Sequence, residues 1–281
     1  MKHDFCCFFP LQCSKAKSSP KLWVTIILTA LIIGGMALDY CRVAEYLNES
    51  IQMFEVPIMF FSYRVTFMFF VFGLCLILSD APFWDENTIY YLSRMSGSRW
   101  MLCVSKYTFL MSTLYTMFII IAGMLFSAGR LTFSLNWSAP AKAIASYEIQ
   151  IGQGQGIFFD EAIISVFSPC VALIKQSLLI VLYGYLLGMI VTAFNIRFKS
   201  SAGFVVAVSV HALMLVISLD NLPILGHLSL YNYASLTSQQ SMMPFVQAVL
   251  ILLFADLGIT WLGFRSIRHA DISTTTMEWI S

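Results

Sequence analysis

Residues 22–38 read LWVTIILTALIIGGMAL. Nothing in that run carries a charge, and its length approaches the ~20 apolar residues that an α-helix needs to cross a bilayer. Similar runs recur along the chain at 57–79, 107–127, 170–194, 202–219 and 245–264. Composition agrees with that pattern. Of 281 residues 59% are hydrophobic and 11% charged, and the mean hydropathy is +0.80. A soluble domain carries about 25% charged residues, so this chain has too few to cover a water-facing surface. Stretches of ~10 residues with alternating polarity, the mark of a membrane β-barrel, are missing. The reading is an all-α polytopic membrane protein with six transmembrane helices in a single domain, 1–281.

The first run is not a cleavable signal peptide. Some twenty residues precede it, and no small-residue cleavage pattern follows. Loop charge gives the orientation. Lys2, Lys15, Lys17, Lys21, Arg94, Arg99, Lys106, Arg197, Lys199, Arg265 and Arg268 fall on one side, and Arg42, Arg130 and Lys142 on the other. Eleven against three predicts that both termini are cytoplasmic, in a multi-pass protein of the cell (plasma) membrane. The cytoplasmic parts are then the tail 1–21, the loop 80–106 and the tail 265–281. The outer parts are the loop 128–169 and the segment 220–244, whose Pro223 and Gly226 among apolar residues suit a re-entrant-like hairpin. The FCCFF stretch of the tail, with lysines nearby, suits an interfacial N-terminal helix. Basic residues do not cluster into a patch for a phosphate backbone, so nucleic acid is not an expected partner. Cys41 and Cys170 both fall near the outer face, but nothing in the sequence pairs them.

No sequence pattern of a hydrolase or of a zinc site occurs, so neither catalytic nor metal-ligating residues are assigned. Gly152-Gln153-Gly154-Gln155-Gly156 lacks the lysine and hydroxyl ending of a phosphate loop and reads as a flexible connection. Ionisable residues inside spans are costly and are functional candidates by default. Arg64, His211 and Asp256 are three such residues. By helix rise Arg64 and Asp256 differ in depth by only ~8–10 Å, which a long arginine side chain nearly bridges. Two readings stand: a buried pair that fixes helix packing, or an ion or substrate site on the translocation path. Gly184 and Gly188, and likewise Ala30 and Gly34, make small faces that suit close helix packing and permit a dimer.

Between the second and third runs lies DENTIYYLSRMSGSRW, residues 85–100. Asp85 and Glu86 suit the positive end of a helix dipole, Gly97 suits a helix stop, and Ser98 can cap the helix that enters the next span. Trp84, Tyr91 and Met95 share one face of this short helix, and Glu86 and Arg94 give it opposite charges. It either rests on lipid with aromatic anchors or docks into a groove on a soluble partner.

With six spans, cytoplasmic ends, an interfacial tail and this short helix, the chain resembles the membrane (permease) subunit of a type-2 ABC transporter, an exporter of the six-span family. The local resemblance covers residues 79–108. It implies that 83–95 is the cytoplasmic coupling helix, with Glu86 and Arg94 at its acidic and basic positions and Trp84 and Tyr91 on its docking face. It implies two ATP-binding cassette subunits and a second permease chain, identical or related. ATP and Mg would sit on the partner, with no cofactor and no enzymatic activity in this chain. The abundance of Phe and Met leans toward an amphipathic or hydrophobic cargo. The alternatives are an ion-coupled secondary transporter using Arg64, His211 and Asp256, against which no inverted repeat is evident, and a membrane scaffold or sensor subunit that moves nothing.

Overall fold

A computed structural model describes residues 2–83, 96–146, 157–198, 202–219, 226–236 and 244–269, with the backbone alone for 2–9, 219 and 266–269. Among these residues the chain is almost wholly helical. Its elements are α1 (Lys2–Ser18), α2 (Pro20–Tyr46), β1 (Ile51–Gln52), α3 (Glu55–Ser62), α4 (Arg64–Leu78), α5 (Gly97–Phe126), β2 (Leu131–Thr132), α6 (Ala139–Ala145), α7 (Glu161–Val166), α8 (Pro169–Phe198), α9 (Ala202–Leu219), α10 (Leu230–Ala234) and α11 (Phe245–His269). Two-residue strands β1 and β2 pair in parallel, Ile51 with Leu131 and Gln52 with Thr132.

Local chemistry explains the joints. Pro20 opens α2, where its missing N–H costs nothing and its fixed φ suits the first turn. After α2 the chain reverses at Asn48, whose φ of 54° lies in the left-handed region that asparagine tolerates. The expected second span is broken. Tyr63 is extended at φ −84° and ψ 125°, and α3 meets α4 at 86°. Thr66 Oγ1 donates to the carbonyls of Phe60 and Tyr63, so the break leaves fewer backbone groups bare. Ser138 and Asp160 cap α6 and α7 by accepting from the backbone N–H groups of Ala141 and Ala162.

Helices α2, α5, α8 and the Phe245–Arg265 part of α11 are each long and apolar enough to cross a membrane, and α3 with α4 adds a fifth if the bent pair is one span. Helix α9 is apolar but shorter, at Ala202–Ser218. Four to five such helices are compatible with a multi-pass membrane protein. Contacts at the helix ends show that the six apolar helices alternate in direction. Lys21 at the start of α2 reaches Asp80 beyond α4, and Asn195 near the end of α8 reaches the same turn and the start of α9. Gly263 in α11 sits beside Met101 at the root of α5. We call this the tail end and the opposite one the cap end. At the cap end α3, β1, β2, α6 and α7 fold over the helices, and Trp137 and Phe159 are buried there.

Helix α8 is the axis. It packs against α4, α5, α9, α10 and α11, and 67% of its apolar window is buried, against 17% for α11. Its glycines permit close approach. A Cβ on Gly184 would lie 2.8 Å from Leu74 Cδ2, and one on Gly188 would lie 2.6 Å from Leu78 Cδ1. The small face at 184 and 188 is therefore consumed inside the chain, by α4 and α5, and is not left open for a dimer.

Candidate functional site

Four polar constellations are built into the helix ends and seams. At the cap end Glu55, 0% exposed, accepts four hydrogen bonds. They come from the Tyr40 hydroxyl at 2.8 Å, the Gln52 N–H at 3.0 Å, the Ser138 N–H at 2.7 Å and the Ser138 hydroxyl at 2.8 Å. One carboxylate thus ties α2, the β1–α3 joint and the start of α6 together. Trp137, next to Ser138, donates from Nε1 to the Phe167 carbonyl and so fastens the loop to the start of α8. Sequence reasoning missed Glu55. Its signal was an acidic residue inside an otherwise apolar stretch, MFEVPIMFF.

The second constellation gathers Arg64, Phe67, Tyr183, His211 and Tyr231. His211 from α9 shares a 2.8 Å hydrogen bond through Nδ1 with the Tyr183 hydroxyl of α8. Its ring stacks on Phe67 at 5.7 Å, and Tyr231 of α10 meets Phe67 edge to face at 5.1 Å. Burial lifts the Tyr231 phenol above its ordinary value, and the Arg64 guanidinium beside it pulls the other way. Arg64 itself is exposed, the first residue of α4 past the break.

Asp256 lies apart. On α11 the buried positions Ala248, Leu252 and Asp256 recur every fourth residue, one face of the helix. Asp256 is 4% exposed, and neither carboxylate oxygen has a hydrogen-bond partner among the described residues. One turn further along α11, Thr260 shares a 2.9 Å hydrogen bond with the Tyr185 hydroxyl of α8, which reaches Ser105 of α5 at 2.6 Å. Tyr183 and Tyr185 sit two residues apart on α8, about 200° around the helix. One faces α9 and His211, the other faces α11. The expected Arg64–Asp256 pair is therefore not formed, and Arg64, His211 and Asp256 do not make one site. The helices that carry Arg64 and Asp256, α4 and α11, both pack against α8. Arg64 and His211 do meet a common neighbour, Tyr231.

At the tail end the turn 79–83 is held from several helices. Lys21 Nζ donates to Asp80 Oδ1 at 2.6 Å and to Ser79 Oγ at 2.9 Å. Gln12 of α1 reaches the Pro82 carbonyl at 3.5 Å. Asn195, 4% exposed, donates to the Ser79 and Ala81 carbonyls at 2.8 and 2.7 Å and accepts from the Gly203 N–H at 2.9 Å. Trp84, Glu86, Tyr91 and Arg94, which follow this turn, lie outside the described residues, as do Gly152–Gly156.

Cys41 and Cys170 are free thiols. Lys175 lies over the Phe167 and Phe245 rings at 4.0 and 4.9 Å. Among the described residues no group of three or more His, Cys, Asp or Glu side chains is placed to hold a metal ion. The expected hairpin at 220–244 is described for 226–236, where α10 is buried and Gln176 of α8 binds the Ala234 carbonyl and the Leu236 N–H. Compared with protein-family models, with curated proteins and with solved structures, the chain finds no match. Fold and geometry define a helical chain whose four to five long apolar helices are compatible with a multi-pass membrane protein.

Proposed function

We propose that this chain is the permease subunit of an ATP-driven transporter of the type-2 ABC kind, with six spans and both termini cytoplasmic. It would export an amphipathic or hydrophobic cargo and hydrolyse no ATP itself. The observation that supports the reading is the clamped turn at 79–83. It leads directly into the docking segment 83–95, and side chains from α1, α2 and α8 bond to it. Asn195 extends the linkage to α9. A push on Trp84, Glu86, Tyr91 and Arg94 by a partner would reach α2, α8 and α9 through short hydrogen bonds and α1 through a longer contact of 3.5 Å, which is what coupling to an ATPase requires. The assembly would hold two ATP-binding cassette subunits, carrying ATP and Mg, and a second permease chain, identical or related.

Purification in mild detergent from its own cells, followed by native mass spectrometry, is expected to recover two membrane chains with two ATP-binding proteins. Charge reversal at Glu86 or Arg94 should uncouple ATP hydrolysis from transport by tenfold or more, on the order of one lost charged contact. Isolation of the chain without any nucleotide-binding protein would end this reading. An ion-coupled carrier would then gain, on the strength of the buried Asp256 carboxyl, which has no hydrogen-bond partner among the described residues. Its test is a pH-dependent flux that Asp256→Asn abolishes.

A further inference from the structure

Asp256 stands near the middle of α11. By helix rise it lies about 16 Å from Phe245 at the cap end and about 14 Å from Arg265 toward the tail end. It is buried, and neither carboxylate oxygen has a hydrogen-bond partner among the described residues. A bare carboxylate is costly at such a depth, and a bound proton removes the charge. No cation is placed to do the same. Helix α11 packs against α5, α8 and α10. Lys175 of α8 is held by the Phe167 and Phe245 rings, and Arg265 of α11 lies over Trp261. Arg197 of α8 and Arg99 and Lys106 of α5 belong to the tail-end turns of their helices, and α10 carries no charged residue. Among the described residues burial alone acts on the Asp256 carboxyl. The phenol that faces α11 is Tyr185, whereas Tyr183 turns to His211, Tyr115 to Thr29 and Tyr231 to Phe67.

The two directions along α11 differ. Toward the cap end the same face carries Leu252 and Ala248, both apolar and buried. Toward the tail end it carries Thr260, whose Cβ at i+4 stands about 5–6 Å from that of Asp256, a gap that one water molecule spans. Thr260 Oγ1 shares a 2.9 Å hydrogen bond with the Tyr185 hydroxyl, which shares one of 2.6 Å with Ser105 Oγ. A hydroxyl both donates and accepts, so each bond in this line of three can reverse. A proton taken up at Ser105 is matched by another given up at Thr260, and no hydroxyl keeps a charge. Ser105 is half-buried and the next residue, Lys106, is exposed, which sets this level of α5 toward the tail-end surface.

We propose that Asp256 is a proton-binding site reached from the tail end through Ser105, Tyr185 and Thr260. On loading, a proton bonds to one carboxylate oxygen; on release it returns through the same three hydroxyls, and nothing else is consumed. The site rests on neither reading given above, since it requires no flux and no ATPase and is tested on the chain at rest.

The test is infrared spectroscopy of the full chain, with whatever subunits accompany it, on transfer from light to heavy water at neutral pH. A protonated-carboxyl band is expected that Asp256→Asn lacks, and it should shift as a deuteron replaces the proton. Tyr185→Phe and Thr260→Val keep the size and lose the hydroxyl. Each should slow that shift by on the order of a hundredfold, the lower end of what one positioned proton-transfer group contributes. Thr260→Ser, which restores the hydroxyl, should keep the wild-type rate, which a purely packing role for Thr260 does not predict. A carboxyl band unchanged by Asp256→Asn would overturn the proposal, because Asp256 would then be ionised against a partner. Exchange as fast in Tyr185→Phe and Thr260→Val as in the wild type would also overturn it, because the proton would enter by another way.

Discussion

Among the described residues two carboxyls are buried, Glu55 and Asp256, and their surroundings are opposites. Glu55 stands at the cap end with four donors converging on it. Asp256 stands in the seam between α8 and α11 with neither oxygen bonded among the described residues. A buried acceptor on which four donors converge is a fastener, because each donor loses a partner if it goes. A buried carboxyl without partners costs stability and contributes none through hydrogen bonds. The difference separates a residue that holds the fold from one whose presence the fold does not explain.

The comparison can be broken most readily at Glu55. Glu55→Gln keeps the size but replaces an acceptor by an amide that presents two donors to donors. Loss of about 3 kcal/mol is expected, read as a lower unfolding midpoint in detergent. A loss under a third of that would mean that the cap is held mainly by its apolar contacts. A smaller effect is expected in the packing beneath. Gly188→Ala sets a Cβ against Thr108 Cγ2 and Leu78 Cδ1, and such overpacking costs about 2 kcal/mol. A neutral outcome in the same assay would show that α8 can shift against α5. The smallest effect, of opposite sign, belongs to Asp256. Asp256→Leu should leave stability unchanged or raise it by about 1 kcal/mol. A clear loss would reveal a partner for the carboxyl and remove the contrast with Glu55.

The apolar runs announced the helices, because spans must be continuous in apolar residues and that is visible in one dimension. The broken second span was harder. Ser62-Tyr63-Arg64 interrupts it with polar residues, but an apolar helix lying across the cap end reads the same as one crossing the bilayer. The glycines at 184 and 188 signalled close approach, and the structure supplied the neighbours. The candidate site was legible residue by residue and illegible as a set. Arg64, His211 and Asp256 are all unusual in an apolar helix, yet whether they meet depends on rotation about α8, which only three dimensions show. Asn195 and Gln176 gave less signal still, since a polar amide near a helix end is common and its partners lie far off in sequence.

The short α4 has a consequence for the lipid around it. Helices α5 and α8 each have 30 residues, about 45 Å of rise, whereas α4 with 15 and α9 with 18 rise about 22 and 27 Å. Set in a bilayer, these helices would present walls of unequal height. Lipid beside α4 would then have to thin to match it, at a cost of fractions of a kcal/mol per Å of mismatch.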